Sequence, residues 1–334
     1  MKKILVTGAS GFIGSFLVEE GLRRKFDVYA TIRKGSNLQY LSDPKIHLLE
    51  IDFSDQTKLV NTWNKLKKEI PRFDYIIHNA GITAEIDAEE FDRVNHRYTR
   101  NLYLSLIAAD FIPEKLILVS SLAAMGPGNA ENMKAIDSLQ LPQPLTAYGR
   151  SKLAAEEVLR KGKQIPYLIF RPTGVYGPRD KGYLSYFKLL NKHIEPYMAS
   201  RKQLLSFIHV RDLVGAIYLG MLSPVTYKTY IASDGITYSN EEFAYLCKQI
   251  LKKRTIAISL PYFIGYFIAW MIEKQAKRRG EPSIVGREKF IELTSENWSC
   301  APVELQEDLN FSPRYGLRKG VEETLNWYKK NNWL

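Results

Sequence analysis

The sequence predicts an α/β fold, in which a doubly wound parallel sheet is joined to a smaller and mostly helical C-terminal lobe. Short apolar runs alternate with helical patterns through the first half of the chain. Such regular alternation indicates a parallel sheet that is covered by helices on both faces. After about residue 175 helical patterns dominate, which indicates a separate lobe.

The elements follow in a simple order along the chain. The predicted strands are ILVT (4–7), VYATI (28–32), IHLL (46–49), YIIH (75–78), KLILVS (115–120) and YLIF (167–170). Helical patterns lie between them near 12–24, 55–69, 88–110 and 147–161, and later at 183–191, 211–222, 239–251, 261–278 and 316–330. We expect residues 1–175, with 206–232 returning to them, to form the sheet domain, and 176–205 with 233–334 to form the lobe.

A glycine-rich turn joins the first predicted strand to the first helix. VTGASGFIGSFL places Gly8, Gly11 and Gly14 at this turn. Glycine permits a tight turn, a close approach of the backbone to a pyrophosphate and close packing of helix on strand. The helix N-terminus supplies N–H donors for the phosphates. This context predicts a Rossmann-type dinucleotide-binding domain.

The G-x-x-G-x-x-G spacing and further motifs along nearly the whole chain resemble the extended branch of the short-chain dehydrogenase/reductase superfamily, the NAD-dependent epimerase/dehydratase-like proteins. These motifs are EIDFSD (50–55), HNAG (78–81), VNHRYTRN (94–101), SSLAAMG (120–126), YGRSK (148–152), FRPTGVYGP (170–178), FIHVRDLV (207–214) and NFSPRYGLRKGVEETLNWY (310–328). RPTGVYGP, SSLAAMGP and ATIR look closer to the dihydroflavonol-reductase and 3β-hydroxysteroid-dehydrogenase-like group. Those proteins are ketone/alcohol oxidoreductases of apolar substrates. The resemblance also makes a homodimer plausible.

The end of the second strand bears on the choice between the two nicotinamide cofactors. An NAD-preferring site carries an acidic residue there, which bonds the ribose 2′-hydroxyl. This chain has Ile32 at that place, followed by Arg33 and Lys34. A guanidinium can bind a 2′-phosphate bidentately. The alternative is that both are merely solvated loop charges, but we predict NADP(H) in preference to NAD(H).

The resemblance assigns further residues to the cofactor. Asp52 would contact the adenine edge, and Lys152 would hold the nicotinamide ribose. The other assigned positions are Ser10, Phe12 and Ile13 at the glycine turn, Phe53, Asn79, Ala80, Gly81, Pro172 and Thr173.

The pair Tyr148 and Lys152 is the predicted catalytic centre. Four residues make about one helical turn, so both side chains lie on one face. An ammonium nearby, together with the positive charge of oxidised nicotinamide, lowers a tyrosine pKa from its ordinary value of about 10. By resemblance, Tyr148 exchanges a proton with the substrate oxygen, and Ser121 donates a hydrogen bond to the carbonyl. Ser120 would be a cofactor-side or structural hydroxyl.

Several other polar residues have less certain roles in the predicted site. Asn95 is either the family's catalytic helix asparagine or a polar tie between helix and sheet. Thr83 and Tyr176 are assigned to the substrate, alongside Ser121 and Tyr148. A second pair with the same spacing, Tyr315 and Lys319, follows no strand-end serine, so we predict a packing role at a helix start. His209, Cys247 and Cys300 are predicted to be structural.

Two departures from the family pattern narrow the choice among the reactions that the family catalyses. Leu122, Ala123 and Ala124 follow Ser121, so the acidic pair of the dehydratases is missing. Gly174 stands where sugar-nucleotide epimerases typically carry asparagine. We predict an oxidoreductase that interconverts a ketone and a secondary alcohol on a sterol or a long-chain 3-keto lipid. A nucleotide-sugar epimerase with tightly held NAD and a non-catalytic NADP-binding regulator remain as alternatives.

Aromatic residues of the predicted lobe are consistent with an apolar pocket, although a plain hydrophobic core would explain them as well. They are Tyr183, Tyr186, Phe187, Tyr262, Phe263, Tyr266, Phe267 and Trp270.

Composition limits the partners and the compartment. The chain of 334 residues has a formal charge of +11, which suits nucleic acid, an anionic membrane or a phosphorylated cofactor. It shows no aromatic-basic RNA motif or finger spacing, so we predict no nucleic-acid partner. Two distant cysteines in no metal-like spacing indicate a reducing compartment. The first strand begins at once and leaves no room for a signal peptide, so we expect a cytoplasmic protein.

One apolar run, LPYFIGYFIAWMI (260–272), is followed by the basic segment EKQAKRRG. It is too short to span a bilayer, which takes about 20 residues. Its length suits either a buried core helix or a helix that lies at the inner face of a membrane, with the basic residues at anionic headgroups. The sequence leaves both interpretations of residues 260–279 open.

Overall fold

The structure is a computed structural model, and it describes residues 1–84, 87–198, 203–280 and 286–334. The strands are β1 Lys3–Thr7, β2 Asp27–Ile32, β3 Ile46–Glu50, β4 Tyr75–His78, β5 Lys115–Val119, β6 Tyr167–Pro172, β7 Gly174–Tyr176, β8 Ile194–Tyr197, β9 Leu204–Leu205, β10 Phe207–His209, β11 Lys228–Ala232, β12 Tyr238–Ser239, β13 Ile256–Ser259 and β14 Asn297–Trp298. The α-helices are α1 Phe12–Arg23, α2 Gln56–Leu66, α3 Ala88–Phe91, α4 Tyr98–Ala108, α5 Ala147–Gly162, α6 Leu184–Asn191, α7 Val210–Leu222, α8 Asn240–Leu251, α9 Tyr262–Arg279, α10 Arg287–Thr294, α11 Val303–Leu309 and α12 Leu317–Lys330.

A 7-stranded parallel sheet forms the centre, in the order β11-β6-β5-β4-β1-β2-β3. The predicted doubly wound α/β fold is therefore confirmed. The order reverses between β1 and β4, and ligands of open α/β sheets bind at such a switch point, outside the carboxyl ends of the strands. The glycine turn follows β1, HNAG (78–81) begins at the end of β4 and SSLAAMG (120–126) follows β5, whereas Asn95 lies in the helical segment between β4 and β5.

Both faces of the sheet are buried because successive side chains of a strand point to opposite faces. In β1, Ile4 and Val6 join one hydrophobic cluster, which includes residues of α1 and α7. Leu5 joins the other cluster, which includes residues of α2 and α4. The strands therefore consist of nearly continuous apolar runs, as expected for a parallel sheet covered on both sides.

The C-terminal part combines helices with short strands around its own core, in which Phe187, Phe207, Phe243 and Val321 are buried. Strand β11 pairs with β6 at the sheet edge, and α7 contacts α1. Leu305 and Leu309 of α11 pack into the sheet core, although the predicted boundary assigns them to the lobe. The predicted domain boundaries stay a prediction, and residues 199–202 and 281–285 of that lobe lie outside the described residues.

Predicted helix 88–110 is interrupted by a wider turn. Asp92–Arg97 is π-helical and lies between α3 and α4. Such a turn holds more residues than an α-helical turn and often occurs at functional sites. The buried Asn95 lies within it. Helices α10 and α11 have no counterpart among the helices predicted from the sequence.

Candidate active site

The glycine turn after β1 is closed by backbone contacts that no larger residue would permit. Gly8 has a φ of +65°, and the amide of Gly11 donates to the Gly8 carbonyl at 3.1 Å. A Cβ on Gly14 would clash with that carbonyl, and a Cβ on Gly8 would come within 2.8 Å of the Ala80 Cα. Among the described residues no side chain caps the first turn of α1, so its N–H groups can bind an anion.

A buried hydrogen-bond chain joins the ends of β1 and β4. The Thr7 hydroxyl accepts from the amides of Asn79 and Ala80 and lies 2.8 Å from His78 Nδ1. His78 Nε2 lies 2.9 Å from the hydroxyl of Thr99, which itself donates to the Asn95 carbonyl. The Thr99 hydroxyl therefore accepts from Nε2–H, and Thr7 donates to Nδ1. Burial lowers the pKa of His78 to about 3, in agreement with a neutral ring.

Asn95 ties the loop after β4 to helix α5. Its Oδ1 accepts from the Ile82 amide at 2.8 Å, and its Nδ2 donates to the Ile82 carbonyl and to the Ser151 hydroxyl at 3.1 and 3.0 Å. Ser151 in turn donates to the Tyr148 carbonyl. This geometry agrees with the interpretation of Asn95 as a polar tie between helix and sheet. Asn95 contacts Ser151 of the helix that carries Tyr148, and among the described residues its hydrogen bonds reach Tyr148 through Ser151.

Helix α5 brings Tyr148 to Ser121. Thr146 caps the helix by accepting from the Gly149 amide at 3.1 Å. A Cβ on Gly149 would clash with the carbonyl of Ala123, so the helix start packs directly on the short 3₁₀ turn that follows Ser121. A hydrogen bond from the Ser121 side chain lowers the pKa of Tyr148. The Phe91 ring packs edge-on against Tyr148, with centroids 6.0 Å apart.

The pKa of Tyr148 differs from the expectation that Lys152 would lower it. Burial raises the pKa of Tyr148 to about 12, in spite of Ser121. The Lys152 ammonium is 6% exposed and donates to the Val119 carbonyl at 2.7 Å instead of to the phenol. Burial lowers the pKa of Lys152 to about 8. The protein groups alone therefore hold Tyr148 as a protonated phenol at neutral pH.

Glu156, one turn after Lys152, is the centre of an ion network that the sequence did not indicate. It is fully buried and accepts from the Ser120 hydroxyl at 2.6 Å. It also binds the guanidinium of Arg171 in β6 at 2.6 Å and that of Arg160 at 2.8 Å. Ser120 thus has a structural role in the described geometry. The network fixes α5 against β5 and β6, one helical turn after Lys152.

A carboxylate from the C-terminal part caps the same helix. Glu288 of α10 accepts from the Ala147 amide at 2.5 Å and forms an ion pair with Arg150 at 3.1 Å. A negative charge at a helix N-terminus is favourable because of the helix dipole. Sequence reasoning missed this residue, because it lies far along the chain in a helix that was not predicted.

The remaining predicted cofactor positions lie around the sheet edge. Arg33 and Lys34 are exposed in the turn after β2. Asp52 follows β3 and accepts from the Ser54 amide at 2.9 Å, which lowers its pKa. The carbonyl of the buried Phe53 accepts from Asn101. Pro172 ends β6, next to Thr173.

The two residues assigned to the substrate have different surroundings. Thr83 is exposed in the loop after β4. Tyr176 is 2% exposed in the C-terminal core, where its hydroxyl faces Gly320 of α12. The structure therefore does not bring Tyr176 to Ser121 and Tyr148, because its ring is needed to fill the core between β7 and α12.

The described residues fit a dinucleotide at the switch point. The glycine turn and the uncapped start of α1 form a cradle that any Cβ at Gly8 or Gly14 would fill. The buried hydroxyl of Thr173 has no partner among the described residues, and such a group calls for a ligand or a water. A Cβ on Gly81 would come within 2.9 Å of Asn95 Oδ1 and 3.7 Å of the Lys152 ammonium, so the loop after β4 lies close to both side chains.

Known proteins resemble the chain over its full length. A ceramide reductase of Caulobacter vibrioides is 25% identical over 99% of this chain and 96% of its own. A sterol-4-alpha-carboxylate 3-dehydrogenase of Candida albicans is 23% identical over 99% of both chains. The crystal structure of a UDP-glucose 4-epimerase from Thermotoga maritima superposes with a TM-score of 0.78, at 18% identity over 99% of both chains.

The family itself is defined by a match that covers the sheet domain. Residues 4–231 match the NAD dependent epimerase/dehydratase family. This range contains the glycine turn, Ser121, Tyr148 and Lys152. The chain belongs to the NAD dependent epimerase/dehydratase family, as an NAD(P)-dependent enzyme of the extended short-chain dehydrogenase/reductase type that acts on CH–OH groups.

Proposed function

We propose that the protein is an NADP(H)-dependent oxidoreductase that interconverts a ketone and a secondary alcohol on an apolar, lipid-like substrate, a sterol or a long-chain 3-keto lipid. The observation that carries the proposal is the convergence of Ser121 and Tyr148 beside Lys152 at the carboxyl edge of the sheet. These groups lie next to the glycine turn that fits a pyrophosphate.

Each residue has a distinct task in this reaction. Bound nicotinamide supplies or accepts the hydride. Tyr148 donates its phenolic proton to the substrate oxygen in reduction. Burial raises its pKa to about 12, so the phenol is protonated at neutral pH but is a weaker acid, and positive charge nearby has to favour the phenolate as the proton leaves. Ser121 donates a hydrogen bond to the same oxygen and orients the carbonyl. Lys152 contributes positive charge and holds the nicotinamide ribose, while Glu156 and Asn95 keep α5 in place.

The preference for NADP(H) is supported by charge at the end of β2. Ile32 leaves no carboxylate there, and the Arg33 side chain is free to extend toward a 2′-phosphate. For Arg33→Ala we expect the Kd of NADPH to rise about tenfold or more, with little change for NADH. Titrations of both cofactors by protein fluorescence measure this difference. Equal weakening of both would remove the argument for the 2′-phosphate.

A lipid-like ketone is supported by the relatives and by Gly174. The ceramide reductase and the sterol dehydrogenase are named for lipid substrates. A Cβ on Gly174 would clash with the Tyr183 hydroxyl, so the asparagine typical of sugar-nucleotide epimerases would require the Tyr183 side chain to move. We also propose that the enzyme works in the cytoplasm at the inner face of a membrane, since helix α9 carries exposed apolar side chains followed by basic ones. A homodimer is proposed from the family resemblance alone.

A screen of hydrophobic ketones for NADPH oxidation tests the function. We expect turnover with at least one sterol or 3-keto lipid, and its loss in Tyr148→Phe. Purification with bound NAD, together with binding of a UDP-sugar and no net NADPH consumption, would instead favour the epimerase. Unchanged cellular function of Tyr148→Phe would favour the non-catalytic regulator.

A further inference from the structure

Helix α9 exposes an unusual amount of apolar surface. Phe263 is 71% exposed, Phe267 54% and Met271 45%. Only Gly265 and Ala269 of this helix are buried, so a narrow stripe of small residues faces the protein. The interpretation of residues 260–279 as a buried core helix is therefore wrong for this structure, because the large side chains point outward. No helix among the described residues is long and apolar enough to cross a bilayer.

The outward face of α9 changes from apolar to basic along its length. Positions 263, 267, 270, 274 and 278 recur every three or four residues and so lie on one face. The rings of Phe267 and Trp270 stack at 5.6 Å, and the Lys274 ammonium lies 4.9 Å from the Trp270 ring centroid. Lys277, Arg278 and Arg279 occupy the last turn.

A second basic cluster precedes the apolar segment. Lys252, Lys253 and Arg254 follow α8 and line a shallow surface groove. Strand β13 comes next and is exposed along its whole length, with Ile256 74% exposed. Along the chain, exposed apolar residues of β13 and α9 thus lie between two groups of positive charge. We call β13, α9 and the two basic groups the docking surface.

We infer that the docking surface binds an anionic lipid bilayer and that Glu288 transmits this binding to the helix that carries Tyr148. The inference deepens the proposed function and rests on it for the catalytic readout. Apolar side chains would enter the boundary between headgroups and acyl chains, while the basic groups contact the phosphates. A second copy of the chain is a poorer occupant, because it would present the same positive charges to this surface.

A series of contacts among the described residues connects the docking surface with the helix that carries Tyr148. The Phe290 ring of α10 fills the space above Gly265, where a Cβ would come within 2.6 Å of it. Glu273 of α9 binds the guanidinium of Arg287 at 2.8 Å. Glu288, the next residue, accepts from the Ala147 amide at the start of α5. A shift of α9 on docking therefore changes the cap of α5, one residue before Tyr148.

The other wall of the cleft has a contact with α9 as well. Lys277 forms an ion pair with Asp87 at 2.8 Å. Asp87 precedes α3, and Phe91 of α3 contacts the Tyr148 ring. An exposed ion pair contributes little by itself, so we assign the coupling to Glu288 and treat Lys277 as part of the docking surface.

Co-sedimentation with vesicles tests the binding. We expect the protein to bind vesicles of phosphatidylglycerol and phosphatidylcholine, not vesicles of phosphatidylcholine alone, and to dissociate as sodium chloride is raised. Phe263→Ser with Phe267→Ser should weaken binding about tenfold or more. Charge reversal of Lys274, Arg278 and Arg279 should do the same, since each basic residue near an anionic surface contributes about fivefold. Matched controls are Leu139→Ser with Leu141→Ser, which are 89% and 79% exposed elsewhere.

Other results would overturn this binding. If vesicles do not bind, and the Phe263 and Phe267 substitutions convert a dimer to a monomer in analytical ultracentrifugation, the surface is an interface between copies. Equal weakening by the Leu139 and Leu141 controls would show that any exposed apolar residue suffices. Ketone reduction without vesicle binding would contradict the docking surface alone. Vesicle binding without ketone reduction by any substrate would contradict the proposed function alone.

Kinetics with a water-soluble ketone test the role of Glu288 as a positioning residue. We expect anionic vesicles to raise kcat about threefold or more in the unmodified protein, with little change in the KM for NADPH. Glu288→Ala should abolish the rise while vesicle binding is kept, and Glu288→Gln should restore part of it, because the amide oxygen can still accept from Ala147. Glu304→Ala, which removes a carboxylate bonded to Ser138, is the matched control. A full rise in Glu288→Ala, or binding without any rise in the unmodified protein, would overturn the coupling.

Discussion

The chain contains the same pattern twice, Tyr-x-x-x-Lys-x-x-x-Glu, at Tyr148, Lys152 and Glu156 and at Tyr315, Lys319 and Glu323. In the first copy the tyrosine lies inside a helix and next to a strand-end serine. In the second copy Tyr315 precedes the start of α12 and stacks on the buried His209, with ring centroids 4.1 Å apart. Lys319 is exposed and lies 4.4 Å from the Tyr315 ring centroid.

The difference arises from the start of each helix and from what surrounds it. Thr146 begins α5 early enough to align tyrosine, lysine and glutamate on one buried face. Gly316 begins α12 after Tyr315, so the second tyrosine leaves that face. The same spacing therefore forms a candidate site only in the first copy. There the capping residue starts the helix before the tyrosine, and the end of a strand places a serine beside it.

The largest expected effect is on catalysis. Tyr148→Phe should lower kcat/KM by about 10³-fold or more, because the proton donor is lost. Tyr315→Phe should leave kcat/KM unchanged, since that ring stacks on His209 and its hydroxyl bonds Glu323. NADPH oxidation with the best ketone from the screen measures both, and equal losses in the two variants would contradict the comparison.

The glutamates should differ in their contribution to stability. Glu156→Gln leaves the buried Arg171 without a full counter-charge, so we expect the free energy of unfolding to fall by about 3–5 kcal/mol. Glu323→Gln should cost about 1 kcal/mol or less, because the Glu323 side chain is 31% exposed in its pair with Arg211. Urea denaturation of the two variants gives both values. A similar small loss for both would mean that the Glu156 network is not a buried ion pair in solution.

The lysines should differ in activity more than in stability. Lys152→Met should lower kcat/KM by about 10²-fold and weaken NADPH binding, because the positive charge beside the cleft is removed. Lys319→Met should change the free energy of unfolding by less than about 0.5 kcal/mol and leave activity intact. Paired kinetic and denaturation measurements decide this, and full activity of Lys152→Met would remove the lysine from the mechanism.

A buried histidine near each pair predicts a loss of stability in acid. Burial lowers the pKa of His78 and of His209 to about 3. Between about pH 6.5 and pH 3 the unfolded chain therefore binds protons that the folded protein excludes, so stability is complete above pH 6.5 and falls with pH. At pH 5 each histidine should cost about 2 kcal/mol relative to neutral pH.

The measurement is the difference in the free energy of unfolding between the unmodified protein and His209→Asn as a function of pH. The subtraction is needed because Asp180 and Asp234, whose pKa values burial raises to about 6, act in the opposite direction. A difference that does not change between pH 7 and pH 5 would show that His209 is not held neutral.

The sequence predicted the fold, because the fold depends on local patterns, and the same patterns and the family resemblance named the residues of the candidate site. Apolar runs identified the strands of the sheet, and the glycine spacing identified the turn that Gly8 and Gly14 close. Ser121 and Tyr148 could be paired only through the family resemblance, since their proximity depends on Gly149 packing against Ala123.

The features that the sequence did not predict depend on contacts between residues that are distant in sequence. Glu156 with Arg171, and Glu288 at the start of α5, have no periodic signal. The pKa of Tyr148 was expected to fall, whereas burial and the charge of Glu292 raise it, and neither could be weighed without the structure. The exposure of α9 required coordinates for the same reason: its composition suits a core helix as well.

The chain of contacts from Thr7 through His78 and Thr99 to Asn95 has one further consequence. Each of its hydrogens is already committed, and the last acceptor is a peptide carbonyl. Proton transfer along this route would require several bonds to break together, so it is an unsuitable source for replenishing the phenol after turnover. In the proposed reaction, Tyr148 would therefore recover its proton by a route that does not pass through His78.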